Sequence, residues 1–128
     1  MRSSLLLLLP VLMVLAMAGC NRDARNAERD RRFWAAGAKH YGERATEAEL
    51  RLASLAAQVT DLRNTLKDAD RKLSEAKGDV AWETARGAVA AVKDDLAKVE
   101  QRHNREADYM EEMRQEAAFH QREYEKLK

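Results

Sequence analysis

A heptad repeat is the feature that most constrains the fold of this chain. Apolar residues recur at alternating spacings of three and four in two runs, one from Trp34 to Ala76 and one from Trp82 to Leu127. A period of 3.5 residues, held in each run for about six heptads, gives a helix a narrow apolar seam and a left-handed supercoil. The repeat therefore predicts two long helices that pack along their seams.

A short break separates the two runs, and the phase of the repeat changes across it. Gly78 and Asp79 lie at this break, and glycine commonly follows a helix end whereas aspartate is a favoured N-cap. The pattern predicts a first helix at 24–77, a turn at 78–79 and a second helix at 80–128. The predicted fold class is all-α, a long antiparallel helical hairpin that forms a coiled coil.

A continuous parallel coiled-coil oligomer is the alternative, with the break as a skip in the heptads. Charges that flank the seam discriminate weakly between the two folds. In the hairpin Arg44 would face Glu116 favourably, whereas Arg63 would face Lys93 unfavourably. Exposed pairs of this kind contribute only about 0.2–1 kcal/mol each, so the topology stays open at this point, with the hairpin favoured.

The composition argues against an enzyme and against a nucleic-acid partner. The chain contains only six Gly and Pro residues, so it has few turns that could bring catalytic groups together, and only 5% of its residues are aromatic. No nucleophile elbow or phosphate-binding loop occurs in the sequence. No catalytic residue and no metal site is predicted. The net charge is only +1, from 23 basic and 22 acidic residues, whereas nucleic-acid binders are typically basic.

The first twenty residues have the three parts of a secretory signal. Arg2 provides a positive start, an apolar stretch follows at 5–18, and small residues lead to Gly19 and Cys20. Fourteen apolar residues rise only about 21 Å as a helix, short of the ~30 Å hydrocarbon core of a bilayer. Residues 1–19 are therefore predicted to be a signal peptide, not a membrane-spanning helix.

The end of this segment resembles the lipobox of bacterial lipoproteins. Met17, Ala18, Gly19 and Cys20 match its last four positions, with Met17 in place of the commoner leucine. The resemblance implies cleavage between Gly19 and Cys20, with a diacylglycerol and an acyl chain attached covalently to Cys20. No other cofactor is expected, and residues 20–23 would form the lipidated N-terminus and a short linker.

A lipobox followed by heptads and a terminal lysine resembles the murein (Braun-type) lipoproteins in architecture. In some members of that family the terminal lysine is joined to peptidoglycan, and Lys128 matches it by position. Asn21, where an aspartate would favour the inner membrane, implies the periplasmic face of the outer membrane. The mature chain would be 109 residues long, well beyond those short rods, and a hairpin would return Lys128 toward the lipidated end.

Several other side chains are candidates for a binding role. His103 and Glu106 lie three residues apart on the second seam, where a polar layer that sets the register is a better interpretation than a metal site. His40 and His120 are predicted at the surface or the seam edge without convergent partners. Aromatic residues toward the open end of the hairpin form the candidate partner surface; they are Phe33, Trp34, Phe119 and Tyr124.

The function expected from the sequence is that of a non-enzymatic, lipid-anchored envelope protein that presents a helical rod to other components or to its own copies. A peptidoglycan tether through Lys128 is one alternative. An inhibitor, exclusion or accessory lipoprotein of a secretion, conjugation or phage system is another. The segment 21–44 contains seven basic and four acidic side chains. This excess of positive charge is interpreted either as an ordinary solvated helix face or as a source of weak attraction to anionic lipid head groups.

Overall fold

The computed structural model describes the backbone of residues 8–128 and the side chains of residues 22–128. Within these residues the chain forms two helices, α1 (Leu8–Glu75) and α2 (Asp79–Glu125). The first seven residues of the predicted signal peptide lie outside the described part, as does the side chain of Cys20, so only the backbone of the predicted cleavage and lipidation site at Gly19 and Cys20 is described. The predicted all-α helical hairpin is confirmed.

The chain divides into two compact units. The turn unit is residues 41–115, which contain the connection between the helices. The terminal unit is residues 1–40 and 116–128, which contain both chain ends. In each unit a stretch of α1 packs against a stretch of α2.

The turn of the hairpin follows the end of α1 at Glu75. Gly78 has a φ of 89°, a left-handed conformation that glycine adopts without the steric cost of a Cβ atom. Its carbonyl accepts a hydrogen bond from the backbone N–H of Trp82 at 3.0 Å. Lys72 in the last turn of α1 and Asp79 in the first turn of α2 complement the helix dipoles.

The seam of the turn unit is narrow, as the heptads predict. The five most deeply buried apolar residues of the described part all occupy predicted seam positions; they are Ala45, Ala48, Val59, Ala69 and Val89. The larger seam residues, such as Leu62 and Leu96, are only half-buried. Two helices can cover only one side of each other, so a broad strip of the seam remains partly in contact with solvent.

Ion pairs across the seam of the turn unit run in antiparallel order. Arg51 Nε lies 2.6 Å from Glu106 Oε1, and Arg63 Nη2 lies 2.9 Å from Glu100 Oε1. Arg114 pairs with Glu49. Arg63 pairs with Glu100, which lies one heptad, or about two helical turns, beyond the Lys93 from which repulsion was predicted. The arginine side chain is long enough to bind a carboxylate that does not lie directly opposite it, and a prediction that considers only directly opposite residues misses this pair.

Candidate functional site

An aromatic cluster in the terminal unit is the strongest candidate site. Four rings meet where α1 and α2 pack: Phe33 and Trp34 from α1, and Phe119 and His120 from α2. The ring centroids of Trp34 and His120 lie 5.0 Å apart, and those of Trp34 and Phe119 lie 5.8 Å apart. Edge-to-face contacts of this kind stabilise a pair by about 0.5–1.5 kcal/mol beyond the area that they bury.

The two phenylalanines form the accessible side of the cluster. Each occupies the position just before a seam residue, and each ring contacts both Trp34 and His120 at centroid distances of 5.0–6.0 Å. In antiparallel packing these positions on the two helices lie on the same side of the seam. Phe33 remains 60% exposed and Phe119 43% exposed. The cluster therefore presents two partly exposed phenylalanine rings that pack on Trp34 and His120.

His120 is the residue that sequence reasoning misjudged. It was predicted to have no convergent partners, yet it is buried and contacts the rings of Phe33, Trp34 and Phe119. Gly37 makes this possible, because a Cβ atom there would overlap Nδ1 and Cε1 of His120 and lie 2.8 Å from its Cγ. The signal in the sequence was a glycine opposite a histidine, because a chain that folds back at residues 78–79 brings positions 37 and 120 nearly opposite each other.

Tyr124, the fourth residue of the predicted partner surface, lies one turn beyond His120 on α2 and is half-buried. The Nζ atom of Lys128 lies 5.1 Å from the centre of its ring and 2.7 Å from Glu125 Oε1. The hydrogen bond to Glu125 raises the pKa of Lys128, and the same bond lowers the pKa of the Glu125 carboxyl. The side-chain ammonium group of Lys128 is therefore held in its charged form beside Glu125 and Tyr124.

The polar seam residues His103 and Glu106 lie in the turn unit. The Glu106 carboxylate accepts its hydrogen bond from Arg51, whose guanidinium also lies 5.9 Å from the ring centre of Tyr109. His103 lines a cleft of about 400 Å³ together with Val59. Among the described residues no group of three or more His, Cys, Asp or Glu side chains is arranged to hold a metal ion.

A second depression lies beside the turn, with a volume of about 720 Å³. Five alanines line much of it: Ala69, Ala76, Ala81, Ala85 and Ala88. Trp82, a predicted seam residue, is 43% exposed, and the guanidinium carbon of Arg86 lies 5.3 Å from its ring centre. Small side chains on the facing helix cannot cover an indole ring, so this seam position stays partly open.

Neither helix, over the part of the chain that the structure describes, contains a segment long and apolar enough to cross a membrane. Comparison of the chain with protein-family models, with curated proteins and with solved structures found no match.

Proposed function

We propose that this chain is a non-enzymatic bacterial lipoprotein, held at the periplasmic face of the outer membrane by acyl chains on Cys20. The observation that carries the proposal is the position of the only cysteine in the chain. It follows an apolar stretch and the small residues Ala18 and Gly19, which is the context that a lipobox requires. Several acyl chains anchor a protein stably, whereas one chain binds only marginally.

The helical hairpin supports a role in presenting an interaction surface. The backbone of α1 is helical through residue 20 and on to Glu75, so the part of the chain that follows the proposed anchor begins as a helix. The half-buried seam of the turn unit and the exposed rings of Phe33 and Phe119 provide apolar surface. We propose that these surfaces bind other envelope proteins or further copies of the chain.

Acylation is tested by replacing Cys20 and following processing in cells. The variant Cys20→Ser should accumulate as an uncleaved precursor and incorporate no labelled fatty acid, because the serine hydroxyl does not replace the thiol as acceptor. Metabolic labelling and mass spectrometry of the purified chain provide the measurement. The variant Met17→Leu, which restores the commoner lipobox residue, is the matched control and should be processed and labelled at least as well as the wild-type chain.

Normal cleavage and labelling of Cys20→Ser would overturn the proposal. Localisation is tested on the wild-type chain by separating inner and outer membranes on a density gradient. We expect the chain in the outer-membrane fraction because Asn21, rather than aspartate, follows the proposed anchor.

A further inference from the structure

The first stretch of α1 in the terminal unit has two faces of different chemistry. One face contacts α2, through Trp34 and through the hydrogen bond from Arg31 Nε to the carbonyl oxygen of Leu127 at 2.7 Å. The opposite face holds a row of basic residues spaced by three, four, three and seven. This basic stripe consists of Arg22, Arg25, Arg29, Arg32 and Lys39.

The rotation of the helix puts the whole basic stripe away from α2. At about 100° per residue, all five members lie about 120–180° around the axis from Trp34. All five are exposed, with 76% and 79% of the Arg29 and Arg32 side chains accessible. The stripe extends for about 26 Å along the helix, at 1.5 Å per residue.

Basic residues outnumber acidic residues at this face of α1. Asp23 and Asp30 lie within about 40° of Trp34 around the helix, on the side that contacts α2. Two carboxylates nevertheless reach the stripe: Glu28 at its edge accepts a hydrogen bond from Arg32 Nε at 2.9 Å, and Asp30 Oδ1 lies 3.5 Å from Arg29 Nε. Five basic side chains against these two carboxylates leave the face with a net positive charge, which favours an anionic partner.

The terminal unit, which contains the stripe, is also the more positively charged of the two units. The described residues of the terminal unit include nine basic and six acidic side chains, whereas the turn unit includes 13 basic and 16 acidic ones. The positive charge of a nearly neutral chain is therefore concentrated next to residue 20. We infer that the basic stripe lies against the anionic phospholipid head groups of the membrane that holds the chain.

This inference rests on the proposed anchoring of Cys20, which starts the mature chain two residues before Arg22. An anchor alone leaves the helix free to stand away from the bilayer. Each basic residue at an anionic surface strengthens binding by about fivefold, so five along one face are sufficient to hold α1 parallel to the surface. The side of α1 that contacts α2 then faces away from the lipid.

The test uses the chain purified from membranes and reconstituted into vesicles with or without phosphatidylglycerol. An environment-sensitive fluorophore is attached at Ala36→Cys, which lies within the stripe, or at Ala57→Cys. Both alanines are exposed, and both occupy the same heptad position on α1. We expect a blue shift of the probe at residue 36 in anionic vesicles only, its loss in 0.5 M salt, and no shift at residue 57.

Variants of the basic stripe test whether binding depends on the positive charge or on the arginine side chains themselves. The triple variant R25Q/R29Q/R32Q should lose the blue shift, whereas R25K/R29K/R32K should retain it, because attraction to lipid phosphates needs charge alone. Circular dichroism confirms that both variants remain helical. Equal emission in neutral and anionic vesicles, or an unchanged shift in the glutamine variant, would overturn the inference.

Failure of the anchor gives a different result from failure of the stripe. If the purified chain carries no acyl mass on Cys20, the proposed function is wrong. The stripe is then tested by flotation of the same chain with anionic vesicles at low salt. Salt-sensitive flotation that the glutamine variant loses supports the stripe, and the absence of flotation contradicts it.

Discussion

At the residue scale, Gly37 controls how closely the two helices of the terminal unit approach. The ring of His120 occupies the space where a Cβ atom of residue 37 would lie. Glycine in the middle of a helix normally costs about 1 kcal/mol relative to alanine. The close approach that glycine permits offsets this loss of helix stability, because it allows His120 to pack in the aromatic cluster.

The variant Gly37→Ala should therefore lower the melting temperature, although alanine is the better helix former. The overlap with the His120 ring costs about 1–3 kcal/mol, of which the gain in helix propensity offsets about 1 kcal/mol. Thermal denaturation followed by circular dichroism is the measurement. Gly42→Ala is the matched control and should be neutral or stabilising, because nothing lies within 4 Å of its added Cβ atom.

A double-mutant cycle identifies the cause of the loss. Because His120→Ala removes the ring that collides with residue 37, adding Gly37→Ala to it should cost nothing further. A similar loss from Gly37→Ala in the presence and the absence of His120 would contradict this account.

At the scale of elements, the heptads predict most of the packing, because a period of 3.5 residues specifies which side chains face the partner helix. Every seam position from Trp34 to Ala76 is buried or half-buried, and on α2 only Trp82 departs from this pattern. The aromatic cluster was predicted in part. Its three apolar members are visible as unusual residues in an alanine-rich sequence, but the role of His120 depends on space that Gly37 leaves on the other helix.

The antiparallel order of the elements predicts a short distance between residues that are far apart in sequence. Ala56 and Asn104 are exposed and line the same cleft of the turn unit. Spin labels at these two positions should lie about 10–20 Å apart, given helix axes separated by 8–10 Å. Pulsed electron paramagnetic resonance on labelled chains diluted with unlabelled chains provides the distance within one molecule.

A continuous helix would instead separate these labels by about 72 Å, at 1.5 Å per residue. Chains that carry only the label at residue 56, diluted in the same way, control for contacts between molecules. A long distance within one chain would rule out the hairpin in solution.

At the scale of the whole molecule, the hairpin has a consequence for the C-terminal lysine. The carbonyl oxygen of Leu127 accepts a hydrogen bond from Arg31, and Arg31 follows residue 20 by eleven residues in the same helix. A helix of that length rises about 16 Å. In the proposed lipoprotein, the chain end would therefore lie close to the membrane that holds the chain.

We expect no covalent link between Lys128 and peptidoglycan for this reason. Sacculi washed in hot detergent and digested with muramidase should release no muropeptide attached to the C-terminal peptide, as judged by mass spectrometry. The detergent extract should contain all of the chain. A muropeptide on Lys128 would instead support the tether that the resemblance to murein lipoproteins suggests.

The return of the chain to its starting end also decides where a label can be attached without harm. A purification tag fused after Lys128 would be placed beside Arg31 and Tyr124, next to the aromatic rings whose binding one wishes to measure. Lys77 and Gly78 are exposed in the turn and contribute nothing to those rings. An epitope inserted there should leave the terminal unit unaltered for capture of its natural partners.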